Sequence, residues 1–243
     1  MSEYTFQAEV SKLLQLVTHH LYSNKEIFFR ELISNASDAC DKLRHLLLTN
    51  SDLAEKDIKY KITLAVDEDA KTLIIEDNGI GMTRQELIAS LGTIAKSGTA
   101  QFLQKLTGDT KKDTNLIGQY GIGFYTCFMV ASEVEVISLR AGKKEAHKWT
   151  SNGIDSFSVE RGKLEHHGTK IILYLKEDAQ EYLSPLRLKS LVEKYSEHIA
   201  FSIVLNNKEN EEVLNEELAL WLLPKKEITP EQYKSFYQHV SHT

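Results

Sequence analysis

Apolar residues recur at helical spacing at Val10, Leu13, Leu14, Val17 and Leu21, and a longer helical pattern runs from Glu26 to about Leu48. The rhythm then changes to period two. Residues 60–66 and 72–76 alternate and are rich in β-branched side chains, with 67–71 as the hairpin loop between them. Thr83, followed three residues later by Glu86, spells a capping box, which predicts a helix ending near Leu91-Gly92. Strands are predicted again at 133–140, 156–161, 169–175 and 201–205, and a helix with Pro185 at its start over 185–198. Helices and strands are both plentiful without a βαβ rhythm. The expected fold is therefore α+β: a two-layer sandwich, with a mainly antiparallel twisted sheet covered on one face by helices.

Two stretches break the pattern. Residues 92–123 are rich in Gly, Ser, Thr and Lys with short apolar pieces, the composition of a mobile lid. After a charged linker at 208–217 comes Leu220-Trp221-Leu222-Leu223-Pro224, then Thr229-Pro230 opening a further helix. The expected organisation is a main domain over 1–218 and the start of a second domain over 219–243.

The long helix carries the first candidate chemistry. At about 100° per residue, Glu31, Asn35, Asp38 and Lys42 fall on one polar stripe. Phe29, Leu32, Ala36, Cys40, Leu43 and Leu47 form an apolar stripe for the sheet, and Arg30, Asp41 and Arg44 lie on a third side expected to meet water. A surface helix needs two faces, so the extra polar line suggests the border of a cleft. One reading is i,i+4 pairing on an exposed surface. The other is functional: Glu31 supplies a carboxylate that can orient and deprotonate a water, and Asn35 a neutral oxygen for a hard cation such as Mg2+.

Asp77-Asn78-Gly79-Ile80-Gly81-Met82 follows directly on an apolar strand. A carboxylate there can accept from an exocyclic amine, and the missing side chain at Gly81 lets a flat base approach the backbone. Ile80, Met82 and Leu91 are either apolar walls for that base or ordinary core. Gly118-Gln119-Tyr120-Gly121-Ile122-Gly123 precedes the apolar stretch 124–130, so backbone N–H groups and a helix start can gather an anion; a glycine-punctuated loop is the alternative. Lys96 is a second candidate for phosphate, or a solvated loop lysine. A G-x-x-x-x-G-K-[ST] string is absent, which argues against a P-loop enzyme.

Composition narrows the field further. With 42% hydrophobic and 26% charged residues the chain is ordinary globular material, and no apolar run approaches the length of a membrane span, so a cytoplasmic protein is expected. The net charge of −6 argues against a broad grip on nucleic acid. Cys40 and Cys127 sit among apolar neighbours with no C-x-x-C spacing and read as reduced core thiols. His19-His20 and His166-His167 read as surface pairs, with no metal-site spacing.

The strings at 22–39, 77–82, 91–99 and 117–125 closely resemble the bacterial branch of the heat-shock protein 90 family of molecular chaperones, within the wider ATPase group that includes gyrase, histidine kinases and MutL. The resemblance runs through nearly the whole chain. It implies a homodimeric, stress-response chaperone that binds ATP and Mg2+ beneath a lid, couples hydrolysis to dimer clamping, and serves client proteins with the help of co-chaperones. It also implies roles. Glu31 matches the catalytic base, Asn35 the magnesium ligand and Asp77 the acceptor for the adenine amine. Thr169 matches the threonine that supports adenine through water. Asp38, Ala39, Lys42, Gly81, Met82, Leu91, Lys96, Gly118, Gln119, Gly121, Ile122, Gly123 and Phe124 match pocket or phosphate-side positions. Ser90 stands where many eukaryotic members have Asn, and Tyr120 replaces a commoner Phe. On this resemblance the fragment by itself should bind nucleotide, hydrolyse it slowly and be mostly monomeric. The competing classes are a DNA-directed ATPase, a kinase that phosphorylates a partner histidine, and a nucleotide-gated interaction module.

Overall fold

The computed structural model describes residues 24–50, 58–93, 121–207 and 210–215. Helix α1 (Ile27–Leu47) is followed by a hairpin of β1 (Lys61–Asp67) and β2 (Thr72–Asp77), then by helix α2 (Arg84–Leu91). A 3-10 helix over Gly123–Met129 leads into β3 (Ala131–Leu139), β4 (His147–Ser151), β5 (Phe157–Arg161) and β6 (Gly168–Leu175). A second 3-10 helix (Glu177–Leu183), helix α3 (Pro185–Tyr195), β7 (Ser202–Asn207) and β8 (Asn210–Val213) complete the described elements.

The strands form one sheet in the order β5-β4-β3-β6-β2-β1-β7-β8, antiparallel at every junction except the parallel pair β1 and β7. Period-two alternation decides its inner face. Register aligns Leu205, Leu64, Ile75, Ile171, Val136 and Trp149 in one line across six strands, and all six are buried. Phe28, Phe29 and Leu32 of α1, Leu87 of α2, and Leu188 and Leu191 of α3 share that core. Each such side chain contributes about 1.5–3 kcal/mol by leaving water. Alternate residues such as Ile74, Glu76, Lys170 and Ile172 are only half-buried and lie on the other face. The predicted two-layer sandwich is thus the observed one.

Local signals placed several boundaries well. Thr83 caps α2 in a reciprocal box: its hydroxyl accepts from the Glu86 backbone, and the Glu86 carboxylate accepts from the Thr83 N–H at 2.8 Å. Gly92 ends that helix. Helix α3 stops at Tyr195, three residues before the predicted end. Strand β4 was not foreseen, because its five residues carry one inward apolar side chain, Trp149. The charged stretch at 208–217, read above as a linker, contains β8, which pairs antiparallel with β7; its four residues are all exposed and so show no alternation. The predicted helix over Val10 to Leu21, most of the lid and the Trp221 segment lie outside the described residues.

Helix α1 is buried on more sides than its pattern suggests. The apolar stripe is inside as predicted, but Asp41, assigned to water, is 7% exposed. Arg44 folds over it, with Nη2 2.6 Å from Asp41 Oδ1, while the same guanidinium lies over the Phe201 ring. Burial raises the Asp41 pKa, and the Arg44 charge opposes that shift.

The start of α1 is tied to α3 through Glu26. Its side chain, 12% exposed, accepts from Arg187 at 2.6 Å, from Lys194 at 2.8 Å and from the Tyr195 hydroxyl. These donors, Lys194 first, hold the Glu26 pKa down at about 2, well below the ordinary carboxylate value of 4.5. A depressed folded-state pKa stabilises the fold above the unfolded value, and that contribution is lost as pH falls toward the folded one. Glu26→Gln should therefore destabilise the protein at pH 7, with the difference from wild type shrinking between about pH 4.5 and pH 2; urea unfolding at a series of pH values measures it.

Candidate functional site

Two positions along the strands from the apolar line, on the same face, the register carries polar groups. Asp77 at the end of β2 stands opposite Thr169 of β6, and Thr169 stands opposite Ser138 of β3. All three are buried, Asp77 being 5% exposed. Their hydrogen bonds form a connected set. The Ser138 hydroxyl donates to the Gly168 carbonyl at 2.9 Å, accepts from the Met82 N–H at 2.8 Å and lies 2.9 Å from the Thr169 hydroxyl. With the Ser138 hydrogen committed to Gly168, Thr169 donates to Ser138 and keeps its own lone pairs to accept.

Asp77 Oδ1 accepts from the Gly79 N–H at 2.9 Å. Burial pushes the Asp77 pKa up to about 7, with the Glu76 charge adding to the rise; the Gly79 and Thr169 N–H groups and Lys42 pull it back. The carboxyl is thus poised between its charged and neutral forms, in a place where an incoming N–H donor would favour the charged one.

The glycines of this turn are required by space. Gly81 has φ +63°, and a Cβ there would stand 2.0 Å from the Leu139 carbonyl oxygen. A Cβ on Gly79 would meet the Ala39 carbonyl carbon of α1 at 2.5 Å. Backbone contact is therefore direct on both sides of the turn, and the Ile80 N–H donates to the Ala39 carbonyl at 3.0 Å.

The polar stripe of α1 runs toward this turn. Asp38 is 2% exposed. Lys42 is half-buried, and burial lowers its pKa; its charge interacts with Asp38, Arg140 and Asp77, which places the stripe beside the buried acid. Asn35 is half-buried, and its side chain has no hydrogen-bond partner among the described residues. A neutral amide oxygen suits a hard cation that takes its remaining ligands from water and phosphate. Three or more His, Cys, Asp or Glu side chains arranged for a metal are not found among the described residues.

Glu31 closes the other end of the stripe. Its Oε1 pairs with Arg30 Nη2 at 2.7 Å, and its Oε2 lies 2.3 Å from where a Cβ on Gly123 would be. The end of the glycine run thus rests on this carboxylate. The apolar stretch after it forms a seven-residue 3-10 helix rather than a regular α-helix, with Ile122 at its N-cap and no side-chain cap. Phe124 packs edge-on against Trp149 and Tyr125, and the Tyr125 hydroxyl donates to the Leu91 carbonyl at 3.0 Å.

The profile of the histidine kinase-, DNA gyrase B- and HSP90-like ATPases matches residues 22–181, more than half of the chain. The chain belongs to this family. It is 56% identical over 238 residues to chaperone protein HtpG of Paramagnetospirillum magneticum, covering 98% of this chain and 38% of that protein. It is 53% identical over 240 residues to HtpG of Rickettsia rickettsii, covering 98% and 39%, and 48% identical over 258 residues to HtpG of a Sulfurovum species, covering 100% and 42%. The chain spans about two fifths of the length of these relatives.

Of the residues singled out from sequence in this ATPase family member, Asp77, Gly81, Met82 and Thr169 gather at the turn, with Ala39 bonded to it and Lys42 beside it. Glu31 and Gly123 meet. Ile80 packs with Leu43 and Ala141 in a small core of its own. Lys96, Gly118 and Gln119 lie outside the described residues, while Gly121, Ile122 and Phe124 lead from the glycine run into the 3-10 helix. Ser138 was missed. Its signal was present in the inward series Val134, Val136, Ser138, where a polar residue interrupts a buried face.

A raised folded-state pKa favours folding below the unfolded value of about 3.8, and that advantage is lost as pH rises through about 7. Relative to Asp77→Asn, ligand-free wild type should lose stability between about pH 4 and pH 7 and level off above that, by a few kcal/mol at most at about 1.4 kcal/mol per unit; paired urea titrations read the difference. Gly81→Ala should cost more than about 2 kcal/mol, since both its φ and the Leu139 carbonyl oppose a methyl group.

Proposed function

We propose that this chain is the ATP-binding and ATP-hydrolysing part of a molecular chaperone. The observation that carries the reading is the buried Asp77 carboxylate, aligned with Thr169 and backed by glycines, at the foot of a helix stripe that presents Glu31 and Asn35. Asp77 accepts the exocyclic amine of adenine, and a base that offers a donor there is chosen over one that offers an acceptor. Thr169 supports the ring through water, Gly81 admits the flat base, and Met82 and Leu91 bound it with apolar surface. Similarity to HtpG chaperones over nearly the entire chain supports this assignment.

At the phosphate end, Glu31 takes a proton from the water that attacks the γ-phosphate, as its place against the glycine run allows. Its pairing with Arg30 fixes one carboxylate oxygen while the other faces Gly123. Asn35 would hold Mg2+, which would neutralise phosphate charge, and Asp38 and Lys42 order the stripe behind it. The N–H groups of 121–123 hold phosphate oxygens, joined by Lys96, Gly118 and Gln119 from the proposed lid at about 92–123. The main domain is taken to run over 1–218, with 219–243 beginning another. In the complete, cytoplasmic, dimeric protein, lid closure and hydrolysis drive clamping on client proteins, together with co-chaperones; the piece described here is mainly a monomeric nucleotide binder.

Isothermal titration of Mg-ADP into wild type and Asp77→Asn tests the adenine end. Affinity should fall by about ten- to a hundredfold in the variant, the worth of a hydrogen bond to a buried charged group; equal affinity would overturn the assignment. For the phosphate end, Glu31→Ala in the full-length protein should keep ADP affinity and lose hydrolysis by at least about a hundredfold. Surviving turnover would remove Glu31 from its role.

A further inference from the structure

The turn that holds Asp77 is itself gripped by hydrogen bonds on every side. Asn78 spans the Lys61 N–H and the Lys59 carbonyl, each at 2.8 Å. The Ala141 N–H donates to the Ile80 carbonyl at 2.8 Å. The peptide unit joining Gly79 and Ile80 is held at both ends: its N–H donates to Ala39 of α1, and its oxygen lies 2.9 Å from His167 Nδ1. A carbonyl oxygen can only accept, so Nδ1 carries the hydrogen in this contact.

The two adjacent histidines have separate partners. His166 is exposed and pairs with Glu76 at 3.2 Å, whereas His167 is half-buried against the turn. The chain next to His167 is pressed onto the acid's own backbone: Gly168 has φ +133°, and a Cβ there would stand 2.0 Å from the Asp77 carbonyl oxygen. Reading the pair as ordinary surface residues therefore fails for His167. Its ring also borders a groove of about 600 Å³ together with Lys59, Lys143, Glu165 and His166.

We infer that His167 is a positioning residue for the adenine end of the site, clamping the Gly79 peptide so that the turn keeps its bond to α1 and its N–H to Asp77. This rests on the proposed role of Asp77. The Nδ1–H of His167 is the donor that holds the Gly79 carbonyl. The pH dependence expected of ADP affinity is that of Asp77, whose charged neighbours are Glu76 and Lys42. The Gly79 N–H lowers the Asp77 pKa, so a loosened turn lets it rise.

Mg-ADP titrations from pH 6 to pH 9 on wild type, His167→Ala, His167→Asn and Asp77→Asn, with thermal melts, test the inference. His167→Ala should weaken binding about tenfold and move the pH at which affinity falls upward. His167→Asn places an amide N–H near the Nδ1 position and should restore affinity to within about threefold, with the wild-type pH profile. Wild-type affinity and profile in His167→Ala, or equal losses in the Ala and Asn variants, would overturn the clamp. If His167→Ala shows no cooperative melt, the Asn variant decides: wild-type binding supports the clamp and a loss of about tenfold overturns it. Unchanged binding in Asp77→Asn would instead refute the acceptor role of Asp77, while loss in His167→Ala with rescue by Asn would still support the clamp.

Discussion

A carboxyl group shut into the end of an apolar strand governs this structure. Taking a charge out of water is costly unless donors replace the water. Asp77 receives N–H groups from Gly79 and Thr169, and these keep its pKa from climbing beyond about 7. To supply them, the chain must turn sharply after β2, place β6 in register beside it, and bring β3 alongside so that Ser138 joins Thr169 and Met82. Gly79, Gly81 and Gly168 are the consequence, because side chains at these positions would enter backbone already in place.

Helix α1 is the other half of the arrangement. Its apolar stripe fixes it to the sheet, and Ala39 bonds directly to the Asp77 turn, so the position of the polar stripe is set by packing rather than by the polar groups themselves. Glu26 ties the first turn of the helix to α3, and Glu31 then meets Gly123. A rigid platform of this kind keeps a proposed base and a proposed cation ligand at constant spacing from the adenine acceptor.

Much of the fold was legible because it is written locally. The capping box at Thr83 and Glu86, the hairpin of β1 and β2 and the apolar stripe of α1 all follow from spacing. Strand β8 was not, since a fully exposed edge of charged residues has no buried side to impose alternation. Asp41 was misplaced because a helical wheel knows nothing of Arg44 closing over it while stacking on the Phe201 ring. The site divides in the same way. Asp77 and the Glu31 stripe could be picked from residue type and period, whereas the meeting of Asp77 with Thr169 and Ser138 is a matter of strand order. Thr169 was available through family resemblance alone, and His167 looked like half of a surface pair until its Nδ1 was seen on Gly79.

The proposed site depends on Asp77 being a buried acceptor that a nucleotide's amine completes. The direct measurement is the carbon-13 resonance of the Asp77 side-chain carboxyl, followed through a pH titration with and without saturating Mg-ADP. Titration near pH 7 is expected in the free protein, with a clear fall in that midpoint in the complex, since a donated N–H favours the charged form. Titration of the free protein in the ordinary carboxylate range, or a midpoint that saturating nucleotide leaves unmoved, would contradict it.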